Sequence, residues 1–376
     1  MSPRFELKDE MRAWQGIGRC MTGGELVLTP FEQPIEEESR GDPDQYDDNR
    51  NFSGGSEDLC EVVDPEGPHP KKIAGTHNSK RFRYFLDGSI RTKYVGEYVE
   101  GGLSVPVIVS DISVAVVERL GQQLSARDYR KNLWFIFPHK DTGSISDTTY
   151  ERIEELSREL EQSRSLTRID FLKKSESVGD VRTSLLGKVR SVMHNTEHDV
   201  AEHLDRSESD WLIMDGAIRK QEFVNLRSTI GLAKSFSRKP VFDIGSGHLT
   251  LPAYMKSVKE GCRSAVFKKS GATDAVYREV VFWYVRLRTF PPMEPLGGLV
   301  KVDLRATQYD QDFTRVVDDI SSELYDMRLP SVYPWPRWPS YVYPIRIAEI
   351  YMNSRFLGDF VLAEVGMQLK NAIVSR

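Results

Sequence analysis

Two short apolar runs, each followed at once by Asp-Gly, constrain this 376-residue chain more than any other feature. The first is Arg83–Leu86 before Asp87-Gly88, and the second is Trp211–Met214 before Asp215-Gly216. Such aromatic and aliphatic runs predict short buried strands. The glycine predicts a sharp turn at the strand end and lets a ligand approach closely. Either copy alone is also typical of an ordinary turn. As neighbours in one sheet, however, the two strands would bring two carboxylates together, which indicates a metal-binding site.

The order of the other predicted elements indicates a mixed sheet. After Asp87 the sequence predicts strands over residues 93–98, 103–110 and 133–137 and helices over 150–162 and 181–204. Beyond the second carboxylate it predicts a helical or mixed segment over 225–236, strands over 280–287 and 299–304, and a helix over 312–327. A strand with Asp, an antiparallel meander, helices and a second strand with Asp is the order of RNase H-like folds. We therefore predict an α/β fold, in which helices flank an RNase H-like mixed sheet.

The charge of the chain is unevenly distributed. The net charge is −5, but the segment from Glu36 to Glu66 holds 12 acidic and two basic residues, so the remainder carries about +5. Low hydrophobicity with high charge predicts a flexible segment over residues 36–80, within an N-terminal extension over 1–80. The folded domain is then expected over 81–376. A mildly basic body beside an acidic linker is compatible with a nucleic-acid substrate, although a solvated linker explains the acidic segment equally simply.

Several classes of protein are disfavoured by what the sequence lacks. No run of about 18 apolar residues predicts a membrane span, and the first residues lack the apolar core of a secretory signal. The three cysteines (Cys20, Cys60 and Cys262) are too widely spaced to predict a disulfide framework or a zinc site. We expect a cytoplasmic protein that does not interact with a membrane.

A pair of strand carboxylates predicts a site for hard divalent cations. Mg²⁺ and Mn²⁺ prefer oxygen ligands, so Asp and Glu are the residues that such a site requires. A site of this kind can activate water at a phosphodiester. We expect a third carboxylate from the predicted helix over 181–204, where the candidates are Glu197, Asp199 and Glu202.

Two other patterns compete with this interpretation. His194 and His198 have the four-residue spacing of metal-binding pairs, but the segment His-Asn-Thr-Glu-His lacks the order of a zinc-protease motif. The segment Asp243–Gly247 is similar to the nucleotide loop of methyltransferases. Such a loop should open a helix, whereas Pro252 follows closely, so a glycine-rich connection is the simpler prediction.

The ordered set of motifs resembles the NurA nuclease family. The resemblance rests on Asp87-Gly88-Ser89, on a helical glutamate before Asp215-Gly216, and on Ile230–Ser235. The strand pair over 283–287 and 300–304 and the segment Tyr343–Glu349 continue it. It covers roughly residues 80–360, and the order and spacing of the motifs carry it, because no single motif is diagnostic.

The resemblance implies a role for each matching residue. Asp87 and Asp215 match the family's metal-binding aspartates, and Glu197 matches its helical glutamate better than Glu202 does. Lys234 matches a lysine near the scissile phosphate, where an ammonium would stabilise developing charge. At Glu349 the family often has a histidine that completes the metal site, so Glu349 is expected to be either a metal ligand or an exposed helix residue.

Substrate contacts and partners also follow from the resemblance. Lys234, Ser89 and Arg238 are the predicted DNA-contacting residues. The resemblance implies a homodimer that uses two Mn²⁺ or Mg²⁺ ions per site for 5′→3′ exonuclease and single-strand endonuclease activity. It also implies a HerA-type hexameric ATPase as partner, in DNA end resection and repair or in anti-phage defence. The alternatives are a catalytically silent adaptor subunit of that ATPase and a methyltransferase built on Asp243–Gly247.

Overall fold

The computed structural model describes residues 6–28, 59–73, 80–177, 179–272, 274–289, 295–306, 313–330 and 338–374. Within these residues the helices are α1 (Leu7–Cys20), α2 (Asp147–Glu161), α3 (Val181–Glu202), α4 (Gln221–Val224), α5 (Leu251–Met255), α6 (Ala275–Glu279), α7 (Phe313–Asp326), α8 (Tyr343–Asn353) and α9 (Asp359–Val374). The strands are β1 (Glu25–Leu28), β2 (Leu59–Val62), β3 (Lys71–Lys72), β4 (Phe82–Glu100), β5 (Leu103–Leu120), β6 (Gln123–Pro138), β7 (Thr167–Leu172), β8 (Trp211–Asp215), β9 (Thr229–Ala233), β10 (Val241–Asp243), β11 (His248–Thr250), β12 (Cys262–Arg263), β13 (Phe267–Lys269), β14 (Val280–Arg286) and β15 (Leu299–Arg305).

One mixed sheet connects all of these strands. Its main path runs β11-β10-β2-β13-β14-β15-β9-β8-β4-β5-β6-β7. Strands β4, β5 and β6 form an antiparallel meander, whereas β8 is parallel to β4 and β9 is parallel to β8. The predicted α/β fold class, an RNase H-like mixed sheet flanked by helices, is thereby confirmed. Among the described residues, no helix has the length and apolar character needed to cross a membrane.

The first strand carboxylate lies inside a strand, so the predicted turn at Gly88 is wrong. Strand β4 continues for 19 residues and merges the two strands predicted over 83–87 and 93–98. Pairing with β5 is unbroken here, because Asp87 lies opposite Ala115 and Gly88 opposite Val114. The second copy behaves as predicted, because β8 ends at Asp215 and Gly216 takes φ 104°.

Two further predictions need correction. The segment over 225–236, predicted as helical or mixed, contains the strand Thr229–Ala233, whose five residues are all buried. A short, fully buried run has no alternation of apolar and polar residues, so it shows neither the helical nor the strand period. The sequence therefore does not distinguish helix from strand there. Within the predicted flexible segment 36–80, residues 59–62 and 71–72 are strands of the main sheet. Residues 36–58 and 74–79 of that prediction lie outside the described residues.

The N-terminal residues also contact the main sheet. Strand β1 pairs with β4, with Leu26 opposite Tyr98. Helix α1 lies against α9, where Gln15 donates a hydrogen bond to Gln368 at 2.8 Å. Whether residues 1–80 act as a unit apart from 81–376 stays a prediction.

The alternation of side chains along the strands separates two cores. On one face, Phe85, Ile213 and Leu232 pack with Ile345 and Ala348 of α8 in a single buried cluster. On the other face, Tyr84, Leu86, Leu212 and Met214 pack with Val200 of α3. Successive residues of a strand point to opposite faces. Asp87 and Asp215 therefore point toward α8, whereas Gly88 points toward α3.

Gly88 leaves room for a side chain of α3. A Cβ atom added at Gly88 would lie 2.9 Å from Cδ and 3.1 Å from Cγ of Glu197, which is only 4% exposed. This position requires glycine because a side chain would overlap Glu197, and not because the chain turns here.

We predict that Gly88→Ala lowers the free energy of unfolding by about 1–3 kcal/mol, because the added methyl group overpacks against buried Glu197. Gly358→Ala is the matched control, since a Cβ at Gly358 would meet nothing within 4 Å. Urea unfolding of the two variants measures the difference. Equal stability of both variants and the unsubstituted protein would contradict the packing role of Gly88.

Candidate metal centre

Asp87 and Asp215 are neighbours in the sheet. Strands β4 and β8 are parallel, with Phe85 opposite Ile213 and Leu86 opposite Met214. Continuing this register by one residue places Asp87 beside Asp215. Asp87 is only 5% exposed, and the side chain of Asp215 is 16% exposed. The chain thus brings together two carboxylates that are far apart in sequence.

Glu349 adds a third carboxylate from α8. Oxygen atoms of Asp87, Asp215 and Glu349 all lie within 4.8 Å of one another. The neighbouring Ala348 is fully buried in the core between α8 and the sheet, which fixes this helix close to the strands. The side chain of Glu349 is 15% exposed, so it is not a solvated residue of the helix surface.

Lys234 supplies a positive charge at this carboxylate cluster. Its Nζ lies 2.7 Å from Oδ2 of Asp215 and 2.8 Å from Oε1 of Glu349. The ammonium also lies 4.1 Å from the ring centroid of Tyr341, within cation–π distance. Arg346, one helical turn before Glu349, donates a hydrogen bond to its Oε2 at 2.7 Å. Glu349 is therefore held between two cations.

Burial and repulsion together perturb the titration of these groups. Burial raises the pKa of Asp87 well above its ordinary value, and the charges of Asp215 and Glu349 raise it further. Burial also raises the pKa of Asp215, although Lys234 opposes the shift. Burial alone would lower the pKa of Lys234, but the carboxylates outweigh it and raise that pKa well above the usual value. Perturbed groups of this kind are typical of functional sites.

The donor set fits a hard divalent cation. All three side chains offer carboxylate oxygens, which Mg²⁺ and Mn²⁺ prefer. Oδ1 of Asp215 is buried, and among the described residues it has no hydrogen-bond partner unless a proton is shared with Asp87. Three carboxylates against Lys234 and Arg346 leave one uncompensated negative charge when all five groups are ionised. A bound cation would satisfy both the oxygen and the charge.

The structure does not bring Glu197 into the carboxylate cluster. Glu197 lies on α3, behind Gly88, and its Oε2 lies 2.8 Å from Nδ1 of His194. Its charge still contributes to the raised pKa of Asp87. Since Asp87 and Gly88 point to opposite faces of β4, a residue that contacts Gly88 approaches the cluster from the other side of the strand.

The other two helical candidates, Asp199 and Glu202, have surroundings that differ from those of Glu197. Asp199 forms an ion pair with Arg130, and the side chain of Glu202 is 60% exposed. Glu197 is therefore the candidate that the structure places against the carboxylate-bearing segment of β4.

The two remaining predicted substrate-binding residues follow the residues of the centre along the chain. Ser89 is half-buried on β4, two residues beyond Asp87 and on the same face. Arg238 is exposed, four residues beyond Lys234.

Sequence reasoning missed three residues that support the centre. Arg346 could have been inferred, because it lies three residues before Glu349 on one helix and can pair with it. Tyr341 gave no local signal. Buried Asp303 of β15 accepts a hydrogen bond from the backbone N–H of Ile218 at 3.1 Å and so fixes the turn that follows Asp215.

The two competing sequence patterns are explained as ordinary structure. His194 contacts Glu197, while Nδ1 of His198 lies 3.9 Å from Glu202, so the histidines do not converge on one point. The segment Asp243–Gly247 closes the hairpin between β10 and β11, where Gly245 and Gly247 take positive φ angles. It does not open a helix, so the methyltransferase interpretation loses its structural basis.

We predict that Asp87→Asn stabilises the metal-free protein near neutral pH, because the substitution removes a buried negative charge that Asp215 and Glu349 repel. The pKa of Asp87 in the folded protein is raised, so the unsubstituted protein loses stability as the pH rises through that value. The gain should vanish well below about pH 4, the unfolded pKa of Asp, because there the carboxyl is neutral in both the folded and the unfolded states.

Denaturant unfolding in a chelator, across a pH series, measures this difference, with Glu202→Gln as the exposed acidic control. Addition of Mn²⁺ should reverse the order of stability, because a ligand that binds only the folded state stabilises it. A variant that is less stable than the unsubstituted protein in chelator at neutral pH would contradict the repulsion inferred here.

Comparison with known proteins adds a distant structural likeness. No family model matches the chain, and no curated protein matches it. Among solved structures, the chain is similar to the NurA nuclease from Sulfolobus solfataricus, with 11% sequence identity and a TM-score of 0.44 over 80% of this chain and 87% of that chain. A likeness at this level does not establish membership of the NurA family, and it carries no information on the activity of this chain.

Proposed function

We propose that this chain is a divalent-metal-dependent nuclease that hydrolyses DNA phosphodiesters. The observation that carries the proposal is the convergence of Asp87, Asp215 and Glu349 on one point beside Lys234. These residues come from two adjacent parallel strands and a helix. Grouping a buried carboxylate with two half-buried ones is costly, which indicates a functional requirement. An oxygen-only donor set next to a lysine suits chemistry at a phosphate.

Each residue of the centre has a distinct role in the proposal. Asp87, Asp215 and Glu349 would hold Mn²⁺ or Mg²⁺, which supplies water activation and stabilisation of the leaving oxygen at a phosphodiester. Lys234 would stabilise negative charge that develops on the phosphate. The ring of Tyr341 and the carboxylate of Asp215 position the ammonium. Arg346 holds Glu349 through its second oxygen, which leaves the helix carboxylate with a defined orientation.

Ser89 and Arg238 are the residues proposed to contact the substrate. Ser89 follows Asp87 on the same face of β4, and Arg238 is an exposed cation on the chain that leaves Lys234. Both are proposed to contact the DNA backbone, where cations and hydroxyl groups contribute most contacts. Glu197 lies behind Gly88, so it would bind a second ion only if its carboxylate moved around the strand. We therefore propose that its charge helps to raise the pKa of Asp87.

The finer features of the proposal rest on the resemblance of motifs in the sequence. They are 5′→3′ exonuclease and single-strand endonuclease activity, two ions per site, a homodimer and a HerA-type hexameric ATPase partner. The biological setting would be DNA end resection and repair or anti-phage defence.

A catalytically silent adaptor subunit of such an ATPase is the second candidate. The observation that favours it is the position of Lys234, whose ammonium already forms ion pairs with two of the three carboxylates without a metal. A protein of this kind would show no cleavage with Mn²⁺, Mg²⁺ or Ca²⁺, with or without the ATPase.

We predict that Asp87→Ala and Asp215→Asn each lower Mn²⁺-dependent cleavage of linear DNA by at least about 100-fold, because each removes a carboxylate of the metal centre. Glu202→Gln removes an exposed carboxylate of α3 and should leave cleavage unchanged. Initial rates on end-labelled single- and double-stranded DNA give the comparison. Undiminished cleavage by either Asp variant would sink the catalytic assignment.

A further inference from the structure

A buried ion pair holds the connection between α8 and α9 against the sheet. Nζ of Lys131 on β6 lies 2.9 Å from Oδ2 of Asp111 on β5. The same carboxylate oxygen accepts a hydrogen bond from the backbone N–H of Leu357 at 2.8 Å. Lys131 also donates a hydrogen bond to the carbonyl oxygen of Arg355. The Asp111–Lys131 pair thus binds two backbone groups that directly follow the helix of Glu349.

Strand β4 contributes a third side chain to this contact. Arg91 lies opposite Asp111 in the sheet, so both point to the same face. Its Nη1 donates a hydrogen bond to the carbonyl oxygen of Leu357 at 3.3 Å, and its guanidinium lies 5.1 Å from the ring centroid of Phe356. Three adjacent strands therefore contact residues 355–357.

This contact lies on the face of β4 that carries the metal centre, but farther along the strand. Arg91 follows Asp87 by four residues, which keeps both on one face and separates them by about 13 Å. Arg355 follows Glu349 by six residues. Helix α8 is therefore held at two levels of the same strand, at Asp87 through the carboxylate cluster and at Arg91 through the connection that follows it.

The contacts between these two levels are apolar. Ala348 and Met352 of α8 are fully buried against their neighbours. The ring of Tyr351 packs edge-on against that of Tyr129 on β6, with 5.4 Å between the ring centroids. Apolar packing is non-directional, so it holds the helix against the sheet without fixing its position along the strand. The directional bonds at Asp111 and Lys131 supply that second restraint.

Stability alone does not explain this ion pair. Asp111 and Lys131 are both buried, and Oδ1 of Asp111 has no hydrogen-bond partner among the described residues. Burial raises the pKa of Asp111, although Lys131 opposes the shift. Apolar residues of similar volume often stabilise a fold as well as a buried ion pair does, or better. What the pair provides beyond them is a set of directional bonds to the backbone of residues 355–357.

We propose that Asp111 and Lys131 are positioning residues for the metal centre, which fix α8 along β4 so that Glu349 lies beside Asp87 and Asp215. Neither residue contacts the carboxylate cluster in a described hydrogen bond or ion pair, so their effect passes through the backbone of α8. The expected effect on metal affinity rests on the proposed function, whereas the expected effect on the position of Glu349 does not.

The double variant Asp111→Leu/Lys131→Met is the primary test. It removes both members of the ion pair, so it leaves no unpaired buried charge and should unfold in urea at nearly the same concentration as the unsubstituted protein. Binding of Mn²⁺ without DNA, followed by the electron paramagnetic resonance signal of the free ion, should weaken by roughly 10- to 100-fold, the usual effect of losing a residue that orients metal ligands.

Two single variants separate position from stability. Asp111→Asn keeps an oxygen that can accept the N–H of Leu357 but leaves the ammonium of Lys131 without a carboxylate. It should therefore be less stable than the double variant and yet bind Mn²⁺ more tightly. Glu10→Gln is the control at a distance, since buried Glu10 of α1 accepts hydrogen bonds from the N–H groups of Leu166 and Thr167 at 2.6 and 3.1 Å. It should lower stability and leave Mn²⁺ affinity unchanged.

A double-mutant cycle tests whether the effect passes through Glu349. In Glu349→Ala protein the carboxylate to be positioned is gone, so the Asp111→Leu/Lys131→Met substitutions should cause no further loss of Mn²⁺ affinity. The same fold-loss with and without Glu349 would overturn the proposal. So would Mn²⁺ affinities that follow the order of stability across the variants.

A crystal structure of the double variant in chelator gives a result that needs no metal. We expect Glu349 to be displaced from Lys234 while the ion pair between Lys234 and Asp215 is kept. An unmoved Glu349 would overturn the positioning role and leave the proposed nuclease intact. Conversely, a displaced Glu349 in a protein that binds no Mn²⁺ even when unsubstituted would uphold the positioning role and contradict the proposed function.

Discussion

The repulsion between buried Asp87 and the half-buried carboxylates of Asp215 and Glu349 is the constraint on which the candidate centre depends. Asp87, Asp215 and Glu349 lie within 4.8 Å of one another, and burial and mutual repulsion raise the pKa of Asp87. Lys234 offsets part of this cost through ion pairs of 2.7 and 2.8 Å. Because the three carboxylates exceed Lys234 and Arg346 by one negative charge, the cluster lowers the stability of the metal-free protein near neutral pH. We infer that the centre is maintained for binding a cation rather than for stability.

The alternation of strand β4 explains how the surroundings of the centre are arranged. Its 19 residues pass continuously through the site, so consecutive residues face different helices. Asp87 faces α8 with Glu349, whereas Gly88 faces α3 and accommodates Glu197. The same alternation in β15 places Lys301 and Asp303 on the face opposite α8, where they line a cleft.

Short sequence patterns predicted the two strand aspartates of the centre. They did not predict the features that depend on how distant segments pack together. Asp87 and Asp215 follow apolar runs, and their pairing follows from two parallel strands. Glu349 was identified as a candidate only from the order of distant motifs, because nothing near it in sequence indicates that its helix packs on those strands. The turn expected at Gly88 was wrong, because an unbroken β5 partner overrides the local preference of Asp-Gly. Because a turn was expected at Gly88, the sequence did not indicate that Glu197 approaches β4 from the face opposite Asp87. A cleft lined by Lys301 and Asp303 gave no signal in the sequence, because its walls come from six separate segments.

Anomalous diffraction from crystals grown with Mn²⁺ tests the central claim most directly. We predict an anomalous peak within coordination distance of carboxylate oxygens of Asp87, Asp215 and Glu349, with Lys234 Nζ displaced from at least one of them. The peak should be absent from crystals of Asp87→Asn. A fully occupied Mn²⁺ position elsewhere, with Lys234 still bridging Asp215 and Glu349, would contradict it.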